Sequence, residues 1–192
     1  PPDCGGYTPA AFVPDDFAAA RKLLAEAGYP GGHGLPVFNV LSFDTGPALR
    51  MLQAVQAGWA GNLGVRMTIT PQEFKTLFQN QQDGNYTIAF SGWIADYPDP
   101  LTFLGMMVTG GGNNYAGWSD RTYDHLLDLA SRTADGRRRF GYFQAAEAIL
   151  LRKAPVIPLY YNSQIYLKQP YVRHWLPSVL NFHRFADVYL QR

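Results

Sequence analysis

The sequence lacks most of the features that assign a chain to a specialised class. Its 192 residues include one cysteine, Cys4, which excludes an intramolecular disulfide framework and a cysteine-rich zinc site. No apolar run approaches the roughly 20 residues that a membrane-spanning helix needs. Lys and Arg number 16 against 15 Asp and Glu, and a net charge of +1 provides no basic field for nucleic acid. Nucleic acid is therefore not an expected partner.

Motifs for metal or covalent chemistry are also missing. The four histidines, His33, His125, His174 and His183, have no metal-ligand spacing. No serine or cysteine lies in a nucleophile-elbow pattern, and the glycines at 110–112 lack the Lys-Ser/Thr of a phosphate loop. We predict no catalytic residue, no metal site, no cofactor and no enzymatic activity. An Asp-dependent hydrolase using Asp96 and Asp99 as an acid/base pair is the weaker alternative.

What the chain does contain is core-forming material in a regular order. Apolar residues make up 47% and aromatic residues 15% of the sequence, enough for a sizeable core. Apolar periodicity and Gly/Pro stops predict an alternation of helices with strands. This order is typical of an α/β fold, here expected as an open mixed sheet with flanking helices. The predicted helices are 15–27, 46–63 and 71–82, and the predicted strands are 37–41, 65–70 and 86–90.

The second half of the chain differs. Residues 92–118 are rich in Gly, Pro, Asn and aromatics, which predicts a shaped loop region interrupted by a short helix at 101–108. Ser119 is the expected cap of a helix, and Asp135 begins another, whose Arg137, Arg138 and Arg139 are expected on a solvated face. Strands are predicted over 155–161, 164–168 and 185–190.

The most informative segment is 92–100, Gly-Trp-Ile-Ala-Asp-Tyr-Pro-Asp-Pro. It follows a predicted strand end, where open α/β sheets place their ligand crevices. Trp93 and Tyr97 offer aromatic faces beside the carboxylate of Asp96, a grouping suited to an ammonium-bearing ligand. The structural alternative is a rigid turn in which Asp96 caps a backbone amide and Trp93 fills the core.

These residues resemble a known family. Segment 92–100, followed by Phe103-Leu104, Asn113-Asn114, Tyr123-Asp124 and 154–161, is similar in order and spacing to the C-terminal part of extracellular solute-binding proteins of the family 5 type. These are the oligopeptide- and dipeptide-binding components of ABC importers. Residues 18–29 and 62–65 resemble upstream segments of the same family.

The resemblance implies a periplasmic-binding-protein-like lobe of type II, from the peptide-binding cluster, within a monomeric two-lobed receptor. Residues 1–192 would be its C-terminal ligand-binding lobe, with 1–14 a linker from a missing part, 15–154 the lobe core and 155–192 strands returning towards the other lobe. Its implied partners are a peptide, the missing N-terminal lobe and an ABC permease. Its implied location is the periplasm or the extracellular face of a bacterial cell, with or without a lipid anchor.

The resemblance also implies roles for individual residues. The position of Asp96 receives the α-ammonium of the peptide, and the main chain at Gly92 and Ile94 pairs with the peptide backbone. Trp93 and Phe74 line side-chain pockets. The full set of expected ligand-binding residues is Asp96, Trp93, Gly92, Ile94, Tyr97, Phe74, Phe90 and Asn114.

Two departures from the family pattern concern cationic contacts. Phe90 and Ala48 stand where some oligopeptide binders have Arg and His, which leaves recognition of the peptide carboxylate open, with Arg50 as a candidate substitute. Because other members bind nickel complexes, glutathione or sugars, a non-peptide ligand is the alternative within the family.

Overall fold

The chain divides into two compact units in its computed structural model, which describes residues 4–163, 165–176, 180 and 182–191. Residues 14–92 form the first, here called the sheet unit. The described residues of 1–13 and 93–192 form the second, here called the helical unit.

The sheet unit alternates helices and strands as the sequence predicts. Its three strands are parallel and have the order β2-β1-β3, so β1 lies in the middle and is paired on both sides. The alternation, and with it the α/β class, is confirmed. The elements are α1 (Phe17–Glu26), β1 (Phe38–Phe43), α2 (Gly46–Leu63), β2 (Met67–Gln72), α3 (Phe74–Gln82) and β3 (Ile88–Ala89).

Local chemistry explains the helix ends in this unit. The side chain of Asp16 accepts a hydrogen bond of 2.9 Å from the amide of Ala19 and caps α1. Pro47 lies in the first turn of α2, where no amide donor is needed, and Gly64 ends the helix in the left-handed conformation. The core between helix and sheet is built on Val40, Leu52 and Met67.

The helical unit is built mainly on two long helices, α5 (Arg121–Ser131) and α6 (Gly136–Lys153). A short helix, α4 (Leu101–Leu104), continues into a 3-10 turn at Gly105–Met107, as predicted for 101–108. Two short antiparallel strands, β4 (Val172–Arg173) and β5 (Tyr189–Leu190), form a separate pair. The core contains Tyr7, Leu104, Met107, Tyr123, Leu127, Ala130, Phe143, Ala146, Ile149 and Leu150.

Some predictions for this unit are wrong. The helix cap of α5 is Asp120, whose carboxylate accepts from the amides of Thr122 and Tyr123, and not Ser119. No described residue of 155–161 or 165–168 is in a strand, and residue 164 lies outside the described residues. In the stretch 185–190, a 3-10 turn at Phe185–Asp187 precedes the two residues of β5. A strand requires a hydrogen-bonded partner, and the described part of the chain pairs only Val172–Arg173 with Tyr189–Leu190 here.

Two further observations concern the segment that contains Tyr7 and the length and hydropathy of the described helices. Tyr7 is only 3% exposed and belongs to the core of the helical unit, although the sequence assigns its segment to a linker. None of the described helices is both long enough and apolar enough to cross a membrane.

Candidate functional site

The expected ligand-binding residues are shared between the two units. Phe74, Phe90 and Gly92 belong to the sheet unit, whereas Trp93, Ile94, Asp96, Tyr97 and Asn114 belong to the helical unit. The segment that carries Asp96 is a loop without regular secondary structure, running from the end of β3 to the start of α4.

Asp96 is exposed, and its position is fixed by Thr102 of α4. The amide of Asp96 donates a hydrogen bond of 3.0 Å to Thr102 Oγ1, and the hydroxyl of Thr102 donates in turn to Asp96 Oδ2 at 3.4 Å. Thr102 is only 5% exposed, so the carboxylate rests on a buried hydroxyl. None of the ion pairs among the described residues involves Asp96. Its negative charge is therefore available to a cation from outside the chain.

Asp99, three residues further on, has a different environment. Its two carboxylate oxygens accept bidentate hydrogen bonds of 2.5 and 3.0 Å from Arg139 of α6, and Oδ1 also accepts from the amide of Leu101. Burial by itself raises the pKa of Asp99, but the hydrogen bonds from Arg139 and Leu101 outweigh burial and lower that pKa below its ordinary value. Asp99 is thus ionised and already paired, which weakens the idea that Asp96 and Asp99 act as an acid/base pair.

The apolar side chains of the loop face outward. Trp93 is 36%, Tyr97 44% and Ile94 67% exposed, and none of them belongs to either core. Partial burial, together with the charges of Asp99 and Asp96, raises the pKa of the Tyr97 hydroxyl. The alternative of a turn with Trp93 in the core and Asp96 as the cap is wrong, since Asp99 is the residue that caps the following amide.

The backbone just before Asp96 is unpaired. Phe90 donates a hydrogen bond of 2.7 Å from its amide to the carbonyl of Leu41, which extends the pairing of β3 with β1. From Gly92 to Ala95, no backbone amide or carbonyl has a hydrogen-bond partner among the described residues. Residues 92–94 are exposed as well. Such a stretch can accept a further extended chain by backbone pairing.

A group of phenylalanines lies at the carboxyl end of the strands in the sheet unit. The ring of Phe74, 64% exposed, stacks on Phe43 and on Phe78, with centroid distances of 5.7 and 6.1 Å. Phe90 contacts Phe43 edge-on at 6.1 Å and packs against the core of the sheet unit. Phe74 is thus an exposed apolar surface, whereas Phe90 is half-buried.

Asn114 has a structural role that the sequence did not indicate. It is 9% exposed, and its side-chain amide donates to the carbonyls of Val108 and Trp118 at 3.1 and 2.7 Å, while its Oδ1 accepts from the amide of Trp118. Both amide hydrogens are therefore used to close the loop between Val108 and Trp118, and neither is available to a ligand. Its assignment as a ligand-binding residue stays a prediction, and the observed hydrogen bonds show a structural role for its side chain.

Two residues that support the loop, Thr102 and Arg139, were not predicted from the sequence. Thr102 gave no recognisable signal. Arg139 was expected on a solvated face with Arg137 and Arg138, but its side chain is only 24% exposed and its guanidinium lies 4.7 Å from the ring centroid of Phe143. The signal was present in the spacing, because residues 139, 143, 146 and 150 lie on one face of a helix, and the last three are core residues.

No group of three or more His, Cys, Asp or Glu side chains with metal-binding proximity occurs among the described residues. Cys4 is buried, and this burial raises the pKa of its thiol. The chemistry of the site is therefore that of a single exposed carboxylate, outward-facing aromatic rings and unpaired backbone.

Comparison with known proteins gives consistent matches. The family described as bacterial extracellular solute-binding proteins, family 5 Middle, matches residues 1–115. The chain is 33% identical over 153 residues to the periplasmic oligopeptide-binding protein OppA of Salmonella typhimurium, covering 80% of this chain and 28% of that protein. It is 30% identical over 181 residues to the probable deoxycholate-binding periplasmic protein YgiS of Escherichia coli, covering 90% of this chain and 33% of that protein.

Solved structures agree with the sequence matches. The crystal structure of the periplasmic oligopeptide-binding protein OppAIV from Borrelia burgdorferi aligns with a TM-score of 0.85 at 29% identity, covering 96% of this chain and 38% of that one. The fold is therefore that of a part of a periplasmic peptide-binding protein. The chain spans about a third of the length of the curated relatives that it matches.

Proposed function

Because the chain belongs to the bacterial extracellular solute-binding proteins of family 5, we propose that it is part of the substrate-binding component of an ABC peptide importer. In this proposal the receptor captures oligopeptides by their α-ammonium group and by their backbone. The chain supplies the ammonium contact and acts without catalysis. One observation carries the proposal: Asp96 is exposed, forms no ion pair with any described residue, and lies directly beside an exposed stretch of backbone whose amides and carbonyls have no partner among those residues.

The carboxylate of Asp96 can pair with the α-ammonium group, the one cation that every free peptide carries. A carboxylate held by a buried hydroxyl is oriented before the ligand arrives, so little ordering is required on binding. The neighbouring rings of Trp93 and Tyr97 add faces that attract an ammonium group. A fixed carboxylate and aromatic faces select for charge rather than for any particular side chain.

The unpaired backbone supports the second half of the proposal. Amides and carbonyls between Gly92 and Ala95 can pair with an extended peptide as a strand pairs with a sheet edge. Backbone pairing is independent of side-chain identity, which fits a receptor for mixed peptides. The pairing roles of Gly92 and Ile94, the pocket roles of Trp93 and Phe74, and ligand contacts of Tyr97 and Phe90 are part of this proposal.

We assign the remaining partners from the same premise. The described residues of 155–192 expose many large apolar side chains, among them Ile157, Tyr161, Ile165 and Leu167, which would be covered by the other lobe of the receptor. That lobe and an ABC permease at the membrane complete the list of partners. The relatives OppA and YgiS are periplasmic by name, and the proposed location is the periplasm or the extracellular face.

A non-peptide ligand is the second candidate. The relative YgiS is named for deoxycholate, an apolar anion without an ammonium group. The exposed ring of Phe74, stacked on Phe43 and Phe78, is the feature of this chain that favours an apolar ligand. Such a ligand would not require the carboxylate of Asp96, whereas a peptide would. The effect of replacing Asp96 therefore separates the two candidates.

Calorimetric titration of the full gene product that contains this chain separates the candidates. A mixture of tri- to pentapeptides should bind, N-acetylated peptides should bind more weakly, and deoxycholate should not compete. Asp96→Asn should weaken peptide binding by about 2 kcal/mol or more, because the ammonium loses its charged partner. Asp15→Asn, an exposed aspartate of the sheet unit, is the control and should leave the affinity unchanged. Peptide binding that is absent, or indifferent to Asp96, contradicts the proposal.

A further inference from the structure

The loop that carries Asp96 is connected to the core of the helical unit by one ion pair. Arg139 and Asp99 lie 40 positions apart in the chain, and both side chains are only 24% exposed. Two hydrogen bonds join the guanidinium to the carboxylate, in a planar arrangement that fixes direction as well as distance. A lysine at this position would provide the charge without the second bond.

Arg139 is itself held from two further sides. Its Nε donates a hydrogen bond of 3.2 Å to the carbonyl of Ala130, near the end of α5, and its guanidinium lies over the ring of Phe143. Phe143 and Ala130 are fully buried core residues. The guanidinium is thus a rigid connection between the helix pair and the loop.

Asp99, the partner of Arg139, is linked in turn to Asp96. Asp99 accepts from the amide of Leu101 at the start of α4, and the next residue, Thr102, bonds both the amide and the carboxylate of Asp96. Arg139 therefore reaches Asp96 through three hydrogen-bonded steps along one short piece of chain: Arg139 to Asp99, Asp99 to the amide of Leu101, and Thr102 to Asp96. It also neutralises Asp99, so that Asp96 is the carboxylate of this loop that has no cation among the described residues.

From these contacts we infer that Arg139 and Thr102 are positioning residues for ligand recognition by Asp96. They hold its carboxylate in place and keep the neighbouring carboxylate from competing for the ligand's ammonium group. This inference rests on the proposed function, because it assigns a purpose to the surroundings of the ammonium contact. A residue that only stabilises the fold would affect all ligands alike, whereas a positioning residue affects the ligand's charged end.

The test compares tri-alanine with N-acetyl-tri-alanine in the full gene product by calorimetry. The measured quantity is the ratio of the two affinities, which reports the ammonium contact alone. Arg139→Gln should reduce the affinity for tri-alanine about tenfold, because residues of one hydrogen-bond and ion-pair network are energetically coupled, and should leave the acetylated peptide nearly unaffected. Arg139→Lys should restore part of the ratio, and the exposed neighbour Arg138→Gln should leave it unchanged.

A second pair of variants tests the same inference if the arginine variants fold poorly. Thr102→Val removes the hydroxyl while keeping the shape, and should reduce the ratio, whereas Thr102→Ser keeps the hydroxyl and should preserve it. A ratio that is unchanged in Arg139→Gln or in Thr102→Val, or a parallel weakening of both peptides, overturns the positioning role. Failure of the proposed function is distinguishable, because the unsubstituted protein would then show no preference for the free peptide.

Discussion

The hydroxyl of Tyr7 donates a hydrogen bond of 2.8 Å to Oε2 of Glu147, a residue 140 positions further along the chain. The ring of Tyr7 meets Phe140 and Phe143 of α6 edge-on, with centroid distances of 5.6 and 6.4 Å. Gln144 adds a hydrogen bond to the carbonyl of Thr8. The beginning of the described chain therefore completes the core of the helical unit.

Removing this hydroxyl should destabilise the protein. In Tyr7→Phe the ring still fills its place, but the half-buried carboxylate of Glu147 loses its donor, at a cost of about 1–2 kcal/mol in the free energy of unfolding. Urea denaturation followed by circular dichroism measures the change. Tyr160→Phe is the control, since Tyr160 is 57% exposed. Equal midpoints for both variants would show that the hydrogen bond contributes nothing.

The free energy of unfolding should fall at alkaline pH. The environments of Tyr7 and Tyr123 determine the pH range of this loss. Burial raises the pKa of Tyr7, as do the hydrogen bond to Glu147 and its charge, and burial also raises the pKa of Tyr123. The folded state keeps protons that an unfolded chain releases near a pKa of about 10, so the free energy of unfolding decreases as pH rises above that value. Denaturation midpoints across this range should decrease less steeply in Tyr7→Phe than in the unsubstituted protein. An equally steep decrease would assign the alkaline sensitivity to other groups.

Elements that depend on nearby residues were predicted well from the sequence. The proline start and glycine end of α2 and the apolar spacing of α1 to α3 are local signals, and the structure confirms these helices with bounds shifted by a few residues. The strands expected over 155–161 and 164–168 depend on a partner elsewhere, and the described residues contain none for them. Periodicity alone carries no information about pairing.

In the candidate site too, the features set by neighbouring residues were predicted, and those set by distant partners were not. The composition of 92–100 identified the loop and its free carboxylate, because stiff backbone, aromatic rings and Asp96 are adjacent in the sequence. The role of Arg139 depends on Asp99, 40 positions away, and an arginine next to two other arginines is normally solvated. Asn114 was assigned by resemblance, whereas its role depends on which buried carbonyls the loop brings to it.

The end of α2 provides a test of a close backbone approach. Gly64 has a φ of 67°, and a Cβ added there would overlap the carbonyl oxygen of Gly31. Gly64→Ala should therefore destabilise the protein by about 2 kcal/mol or more, because strain in the left-handed region adds to the clash. Thermal unfolding measures the loss.

Gly61 is the matched control for this change. It lies in the same helix, is exposed and has open space where a Cβ would be. Gly61→Ala should stabilise the protein by up to about 1 kcal/mol, since alanine has the higher helix propensity. Opposite shifts of the two melting temperatures are the expected result, and a tolerated Gly64→Ala would show that the turn from α2 to β2 can move away from Gly31.

The loop between Val108 and Trp118 offers a comparison of two adjacent asparagines. Asn114 is buried and bonds the carbonyls of Val108 and Trp118, whereas Asn113 is exposed. Asn114→Ala leaves the carbonyl of Trp118 without its donor, while the carbonyl of Val108 keeps the amide of Gly111. This change should cost about 1–3 kcal/mol of unfolding free energy, while Asn113→Ala should change it little. Denaturation of both variants, combined with calorimetric peptide binding, distinguishes a structural role from a ligand contact. If Asn114 contacts the ligand, Asn114→Ala should reduce the peptide affinity without changing the free energy of unfolding. The hydrogen bonds observed here instead predict that the free energy of unfolding falls, and that any loss of affinity is the same for free and N-acetylated peptides.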